Sequence, residues 1–354
     1  MSPAMHLATC DSALVADVGG THARFAIVGG DRAPRQIVKV PCAAYPDLET
    51  AIADQLDRIA PDARPRRAAI AVAAVVANDT VHLTNLDWRF SADGLRDTLE
   101  LDELVVLNDF EALAWSLPHL RDEELRQVGA GKADPRGPRA VIGPGTGLGV
   151  SGLIPCRGGW AAIRGEGGHV SFSPADEREA ALLACVWKRF PHVSAERLVS
   201  GIGLPMLHAA VCQVDGFEHE ELAVAEIANR VQAASDPACS ATIATFCAML
   251  GTLAGNLALT LGATGGVYIG GGIVPRLGDC FERSDFRKRF ESKGRFATLN
   301  ASIPTWTILA EAPALVGAAA ALAEAGRCDD GDQRLASNAR PARDTGARPS
   351  TVEM

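Results

Sequence analysis

The chain has 354 residues, 47% of them hydrophobic, which is enough for a large core and, at ordinary domain lengths, for about two domains. A formal net charge of -9 repels nucleic acid and anionic membrane surfaces, so neither is expected as the main partner. Nine cysteines are scattered with no CxxC pair and no grouping with histidines, which predicts reduced thiols in a cytoplasmic protein and excludes a disulfide framework or a zinc site.

The first ten residues carry no basic segment of the secretory kind. The apolar runs at 68–77 and 314–323 are about half of the roughly 20 residues that span a bilayer, so no membrane partner is expected. Residues 13–16 read as a strand that meets Asp17, Gly19, Gly20 and Thr21 before apolar alternation resumes at 25–28: strand, glycine turn, strand. Lacking Cβ atoms, Gly19 and Gly20 are free to take positive φ and let an anion approach backbone N–H groups. Asp17 stands where a carboxylate reaches a magnesium ion, and Thr21 where a hydroxyl reaches a phosphate oxygen. An ordinary hairpin accounts for the same residues. A strand over 36–40, a helix over 47–59 with Leu48, Ile52, Leu56 and Ile59 on one face, and a doubly buried strand over 68–76 then give a mixed sheet.

In LTNLDWRFS (83–91), Asn85 follows a short strand and serves equally well as a turn residue, while Ser91 is placed to cap a helix over 92–99. LVVLNDF (104–110) sets Asn108 and Asp109 at the carboxyl end of a second buried strand, before a helix over 111–117. Ligands sit at such strand ends in open α/β sheets, although Asp109 could simply cap the helix. The charged, Gly/Pro-rich residues 121–139 read as a surface connection near a domain boundary.

Residues 140–142 run into GPGTGLGVSGLI (143–154), again strand, glycine turn with Thr146, strand. The recurrence predicts a duplicated α/β fold, in which two domains, each opened by a hairpin that grips phosphate, face one another across a nucleotide cleft. GLGVSG (147–152) has the letters of a dinucleotide fingerprint, but Pro155 stands where its helix should start. GAGKA (129–133) lacks the Ser or Thr and the preceding strand of a P-loop.

RGEGGHVSF (164–172) places Glu166 and His169 in a loop with few apolar groups, which favours ligand roles, although a turn with a surface acid and a surface histidine accounts for the same residues. SAERLVSG (194–201) reads as an N-cap (Ser194), a first-turn acid (Glu196) and a short helix. Helices are expected over 202–210, 221–234 and 241–261. VYIGGGIVPR (267–276) gives a strand, then Gly270, Gly271 and Gly272, against which a flat ring or a phosphate can lie, and a helix start at Pro275. After a strand at 306–309 and a helix at 314–324, the polar composition from 327 onward predicts a disordered tail.

DVGGTHARF, LTNLDW, LNDFEA, GPGTGLG, GEGGHVSF, SAERLVSG and GGGIVPR, in this order and spacing over about residues 14–325, resemble the bacterial glucokinase family. The resemblance implies the duplicated actin/hexokinase-like (ribonuclease H-like) ATPase fold. A small α/β domain would span 11–119 plus 311–327 and a large α/β domain 120–310, with a disordered tail over 328–354. It implies ATP-dependent phosphorylation of the 6-hydroxyl of D-glucose, giving glucose 6-phosphate and ADP, with Mg2+ as cofactor and a cytoplasmic homodimer as the assembly. By position, Asp109 resembles the general base, and Asn85, Asn108, Asp109, Glu166, His169 and Glu196 resemble the sugar ligands. Asp17, Gly19, Gly20 and Thr21 resemble the first phosphate loop, with Asp17 holding magnesium through water. Gly145, Thr146 and Gly147 resemble the second loop, and Gly270, Gly271 and Gly272 the nucleoside side.

His22 and Pro144 depart from the family pattern, which has asparagine and alanine there; Pro144 stiffens the second loop and removes one N–H. The cysteine-rich zinc motif of the related repressor/kinase group is absent, so no structural zinc is expected. A non-catalytic sugar-sensing regulator using the same cleft, or a kinase for another hexose, would also accommodate these residues.

Overall fold

Two sheets, each containing a glycine-turned hairpin, organise the computed structural model, which describes residues 12–338 apart from 77–78, 84–85 and 234 and, from 326 onward, the backbone alone. The first half runs β1 (Ala13–Val18), β2 (His22–Val28), β3 (Arg35–Pro41), α1 (Leu48–Ile59), β4 (Arg67–Val72), a small hairpin of β5 (Thr80–His82) and β6 (Arg89–Ser91), α2 (Ala92–Thr98), β7 (Glu103–Asn108) and α3 (Asp109–Ser116). The sheet order is β3-β2-β1-β4-β7, antiparallel in the hairpins and parallel from β1 through β4 to β7. Both β1 and β4 are buried on both faces, which is why they read as continuous apolar runs. On one face Leu14, Phe25 and Ile70 pack with Leu48, Ile52 and Leu56 of α1; on the other Val15, Ala26 and Ala71 pack with Leu315, Ala318 and Leu322 of the last helix. Ser91 caps α2 as its spacing predicts, accepting the Gly94 N–H at 3.0 Å.

The second half runs β8 (Leu125–Val128), β9 (Arg139–Pro144), β10 (Leu148–Cys156), β11 (Gly159–Ile163), α4 (Glu177–Trp187), α5 (Leu204–Asp215), α6 (Val224–Gln232), α7 (Pro237–Leu261), β12 (Val267–Ile269), α8 (Ile273–Leu277), α9 (Asp279–Glu282), α10 (Phe286–Glu291), α11 (Ala297–Ser302), β13 (Thr305–Ile308) and α12 (Pro313–Asn338). Its sheet order is β11-β10-β9-β12-β13-β8. Among the described residues, α7 alone is long and apolar enough to cross a membrane by composition. Two-thirds of that stretch is buried, and its Phe246, Leu250 and Ala254 share a core with Val267, Phe286 and Phe290, as expected of a core helix.

Helices α3 and α12 join the halves. Ala112 of α3 belongs to the first sheet's core, while Leu113, Ala114 and Leu117 pack with Val141, Leu153 and Tyr268 of the second. α12 crosses α3 at Gly317, where a Cβ would fall 1.6 Å from the Ala112 carbonyl oxygen. Arg164 adds a polar tie from the second half, its Nε donating to Oε1 of the buried Glu111 at 2.9 Å.

Several expectations need correction. β4 stops at Val72, short of residue 76, because the chain turns as the Ala73 N–H donates to the Val18 carbonyl. Residues 121–139 are more than a connection: β8 pairs antiparallel with β13 as a sheet edge, its Arg126 and Gln127 exposed. Residues 194–201 form a turn instead of a helix: the N–H groups of Arg197, Leu198 and Val199 close one turn on the Ser194 and Ala195 carbonyls, but those of Gly201 and Ile202 donate to the carbonyls of Gly145 and Thr146, so the turn does not propagate. Helix α4 and the short helices α9, α10 and α11 have no counterpart in the sequence reading. α12 continues to Asn338, past residue 328 where the disordered tail was expected to begin, and residues 339–354 lie outside the described ones.

Candidate active site

Asp17 lies directly across from Arg24 in the β1–β2 ladder, and Nη1 of Arg24 donates to its Oδ2 at 3.0 Å. Burial raises the Asp17 carboxyl above the ordinary range, with Arg24 opposing the shift. The hairpin turn is closed by the Gly19 N–H donating to the His22 carbonyl at 3.1 Å, and Thr21 and His22 are exposed at its tip. Gly19 does not use the left-handed region that was open to it, and neither do Gly145 and Gly147.

Asp109 is the first residue of α3, at the carboxyl end of β7. Its carboxyl is pushed up to about 7, chiefly by burial, then by the Asp17 carboxylate and less by Glu166, while the Phe110 N–H pulls the other way. One acid therefore feels a charge from the first hairpin and another from the second half. The cap of α3 is Asn108, not Asp109. Its Oδ1 accepts the Phe110 N–H at 2.8 Å and the Glu111 N–H at 3.4 Å, and its Nδ2 donates to the Ala74 carbonyl at 3.1 Å. The Asn108 amide keeps one N–H beyond that bond, and Asp109 is spared for chemistry.

In the second hairpin the glycines matter as space. A Cβ on Gly147 would lie 2.4 Å from Oε2 of Glu196, whereas Gly145 faces open space. Carbonyls of the loop are tied down, Gly145 to the Gly201 N–H at 2.8 Å and Thr146 to the Ile202 N–H at 3.1 Å, and the Thr146 side chain is exposed. The Leu148 N–H, opposite Pro144 in the ladder, donates to Glu196 Oε2 at 2.9 Å. Glu196 Oε1 stands 4.0 Å from Nδ1 of His169, whose Nε2 stands 4.0 Å from Oε2 of Glu166, so these three form a row beside the loop.

The third glycine run abuts the second loop. Gly270 donates its N–H to Ile142, and Gly271 sits at φ 76° with its missing Cβ 2.4 Å from the Pro144 carbonyl oxygen, so glycine is required twice over. Gly272 is exposed, with open space where a Cβ would be. A cavity of about 160 Å³ lies between the halves, lined by Val75, Val76 and Asn108 on one side and Ser151, Arg164 and Glu166 on the other. The arrangement can hold a polyhydroxyl ligand against acids, an amide and an imidazole, with a proton-accepting carboxylate beside it. Asn85 lies outside the described residues.

The sequence reading missed Arg24, although it follows Asp17 by seven residues across a tight turn and pairs with it in register. It also missed the Glu111–Arg164 ion pair, which joins the two halves and leaves no local signal.

The glucokinase family model matches residues 14–325. A glucokinase of Aromatoleum aromaticum is 53% identical over 310 residues, covering 87% of this chain and 94% of its own. A glucokinase of Chromobacterium violaceum is 50% identical over 311 residues, covering 88% of this chain and 89% of its own. The crystal structure of a glucokinase from an Antarctic psychrotroph superposes with a TM-score of 0.82 at 37% identity, covering 89% of this chain and 99% of that one. With both glycine turns and all but the first residue of the two sheets inside the matched span, the chain belongs to the glucokinase family, hexose kinases of the actin/hexokinase-like fold.

Proposed function

We propose that the protein transfers the γ-phosphoryl group of ATP to the 6-hydroxyl of D-glucose, releasing glucose 6-phosphate and ADP. The observation that carries the proposal is Asp109, a carboxyl held near neutrality between Asp17 on the nucleotide side and Glu166 on the sugar side. In this reading Asp109 accepts the hydroxyl proton as the sugar oxygen attacks. Asn108, Glu166, His169 and Glu196 fix the other hydroxyls, and Asn85 is proposed for the same surface. Gly20 and Thr21, with Thr146 and Gly147, present N–H and hydroxyl donors to the phosphates, Gly19 and Gly145 shape the two loops by closing the turns with their own N–H groups, and Gly270, Gly271 and Gly272 accommodate the nucleoside. Phosphoryl transfer asks for positioning and charge stabilisation more than covalent chemistry, which these parts can supply.

A magnesium ion suits the donor set. The Asp17 carboxylate is close enough to Asp109 to raise its carboxyl, and among the described residues Arg24 is the cation that relieves Asp17. No cluster of three metal-ligating side chains exists among the described residues, so the remaining ligands would be phosphate and water, as this ion prefers. Bound there, it would neutralise charge on the transferring phosphate. The division into 11–119 plus 311–327 and 120–310, a homodimeric assembly and a cytoplasmic location belong to the same proposal, supported by the family resemblance and, for the last, by described cysteines that are all unpaired.

The direct test is ADP release from Mg-ATP across a panel of hexoses. Glucose-stimulated turnover is expected, and its absence overturns the proposal; a glucose-induced rise in Tm without ADP would mark a sugar sensor, and a stronger response to another hexose would reassign the substrate. Glu196→Gln offers a second check. The amide can still accept the Leu148 N–H but removes the charge facing His169, so KM for glucose should rise about tenfold or more, in line with a charge-assisted hydrogen bond, with Tm unchanged. An unaltered KM removes Glu196 from the sugar site.

A further inference from the structure

Away from the residues assigned above, with Arg24 the one exception, lies a groove of about 1160 Å³. Its walls come from separate parts of the chain: Ile37 and Lys39 of β3, the 30–34 connection, and the two stretches, around 119–124 and 310–313, by which the chain passes between the two sheets. Val316 and Ala320 of α12 also line it. In a chain of net charge -9, five of its lining residues are Arg24, Arg32, Lys39, His119 and Arg121.

Like charges are set side by side at two places. Lys39 stands directly opposite Arg24 in the β2–β3 ladder, an arrangement that destabilises a sheet unless something offsets it. Burial first, then Arg32 and Arg139 nearby, disfavour the charged form of His119. Arg24 is engaged by Asp17, and Arg121 by Glu123 and Glu124, but Arg32, Lys39 and His119 make no ion pair among the described residues. Arg32 also sits at φ 59°, a left-handed conformation that costs a non-glycine residue energy and that the preceding Gly29 and Gly30 could have adopted freely. Asp31 on the same walls is held by Arg35 and Glu124 by Arg121, and Glu311 adds an acceptor suited to hydroxyl groups.

We infer that this groove binds a small phosphorylated sugar carrying two anionic groups, one between Arg32 and His119 and one between Lys39 and Arg24, with its hydroxyls on the acids. Because both inter-sheet passages line the groove and Arg24 reaches from it to Asp17, occupancy biases the relative setting of the two halves and is felt at the first phosphate loop. The site is regulatory and separate from the cleft.

The test uses the full chain and fructose 1,6-bisphosphate as probe, in thermal unfolding at fixed ionic strength. A saturable Tm rise of roughly 4 °C is expected at about 100 times Kd. The Arg32→Glu/Lys39→Glu double variant should lose that shift while kcat and both KM values without the probe stay as in the parent. Arg32→Gln/Lys39→Gln, which removes charge without reversing it, should behave alike. The inference is overturned by no saturable shift, by a shift that survives in both double variants, by an equal shift from sulfate at the same ionic strength, or by a tenfold rise in KM for ATP in the variants, which would make the groove part of the nucleotide site.

Discussion

Replacing Asp109 by asparagine should lower kcat by about 10²- to 10⁴-fold, the usual contribution of a positioned general base, while glucose still binds in a calorimetric titration. The asparagine oxygen can keep the Phe110 N–H bond, so α3 should start as before. In the parent enzyme the pH profile carries the same information. The working form of Asp109 is deprotonated and its carboxyl sits at about 7, so kcat/KM should be level above that pH and fall about tenfold per unit below it. Stability should move the other way. A carboxyl whose pKa is raised by folding weakens the fold once pH exceeds that raised value, and the penalty fades as pH falls from about 7 towards the ordinary carboxylate range. Asp109→Asn should therefore melt higher than the parent at pH 8, with the advantage shrinking by pH 5. A variant with near-parental kcat removes Asp109 from the role of base, and an equal Tm at pH 8 removes the buried charge.

The parts of this site that were legible in the sequence are those whose chemistry and backbone are local. Each glycine hairpin is a turn between two strands of one short segment, and Asp109 at a strand end is written in LVVLNDF. Where the structure departs, distant partners decide. The turn at 194–201 has a capping serine and a first-turn acid, both helix signals, and it makes one turn; the Gly201 and Ile202 N–H groups are then claimed by the carbonyls of Gly145 and Thr146, while the Glu196 N–H, unbonded in any first turn, is held by the Gly168 carbonyl. That diversion carries the Glu196 carboxylate to Leu148 and His169. Asn108 and Asp109 are both good caps, and the choice between them was made by the Ala74 carbonyl, which holds the asparagine amide and lies 34 residues away. β8 was hidden because an edge strand of four residues with an exposed Arg and Gln has no apolar alternation to read; only β13 completes it. Of the phosphate-loop glycines, Gly19 does not use the left-handed region that its lack of a Cβ allows. At Gly147 the need is room for Glu196, which no single-chain pattern encodes.

Gly317→Ala should cost the fold about 2 kcal/mol. The new methyl would lie 1.6 Å from the Ala112 carbonyl oxygen, which is backbone and cannot rotate away, so α12 must move off α3. Overpacking of this kind costs about 3 kcal/mol, against a gain of about 1 kcal/mol from replacing glycine inside a helix, so the steric term wins. For a chain of this size the net corresponds to a Tm drop of roughly 3 °C. Gly94→Ala in α2 is the matched control: its methyl would rest 3.5 Å from the Ser91 side chain, an ordinary contact, so only the helix gain remains and Tm should hold or rise. Activity should fall with Gly317→Ala beyond what unfolding explains. α3 carries Asp109 at its first residue, rests Phe110 against the missing Cβ positions of Gly143 and Gly149, and rests Leu113 against that of Gly270, so a displaced α12 shifts the base relative to both phosphate loops. A reduced kcat measured at 15 °C, where the variant is fully folded, would place that shift in the active site. An unchanged kcat and Tm would mean that α3 is held by the second sheet alone and that α12 does not set its position.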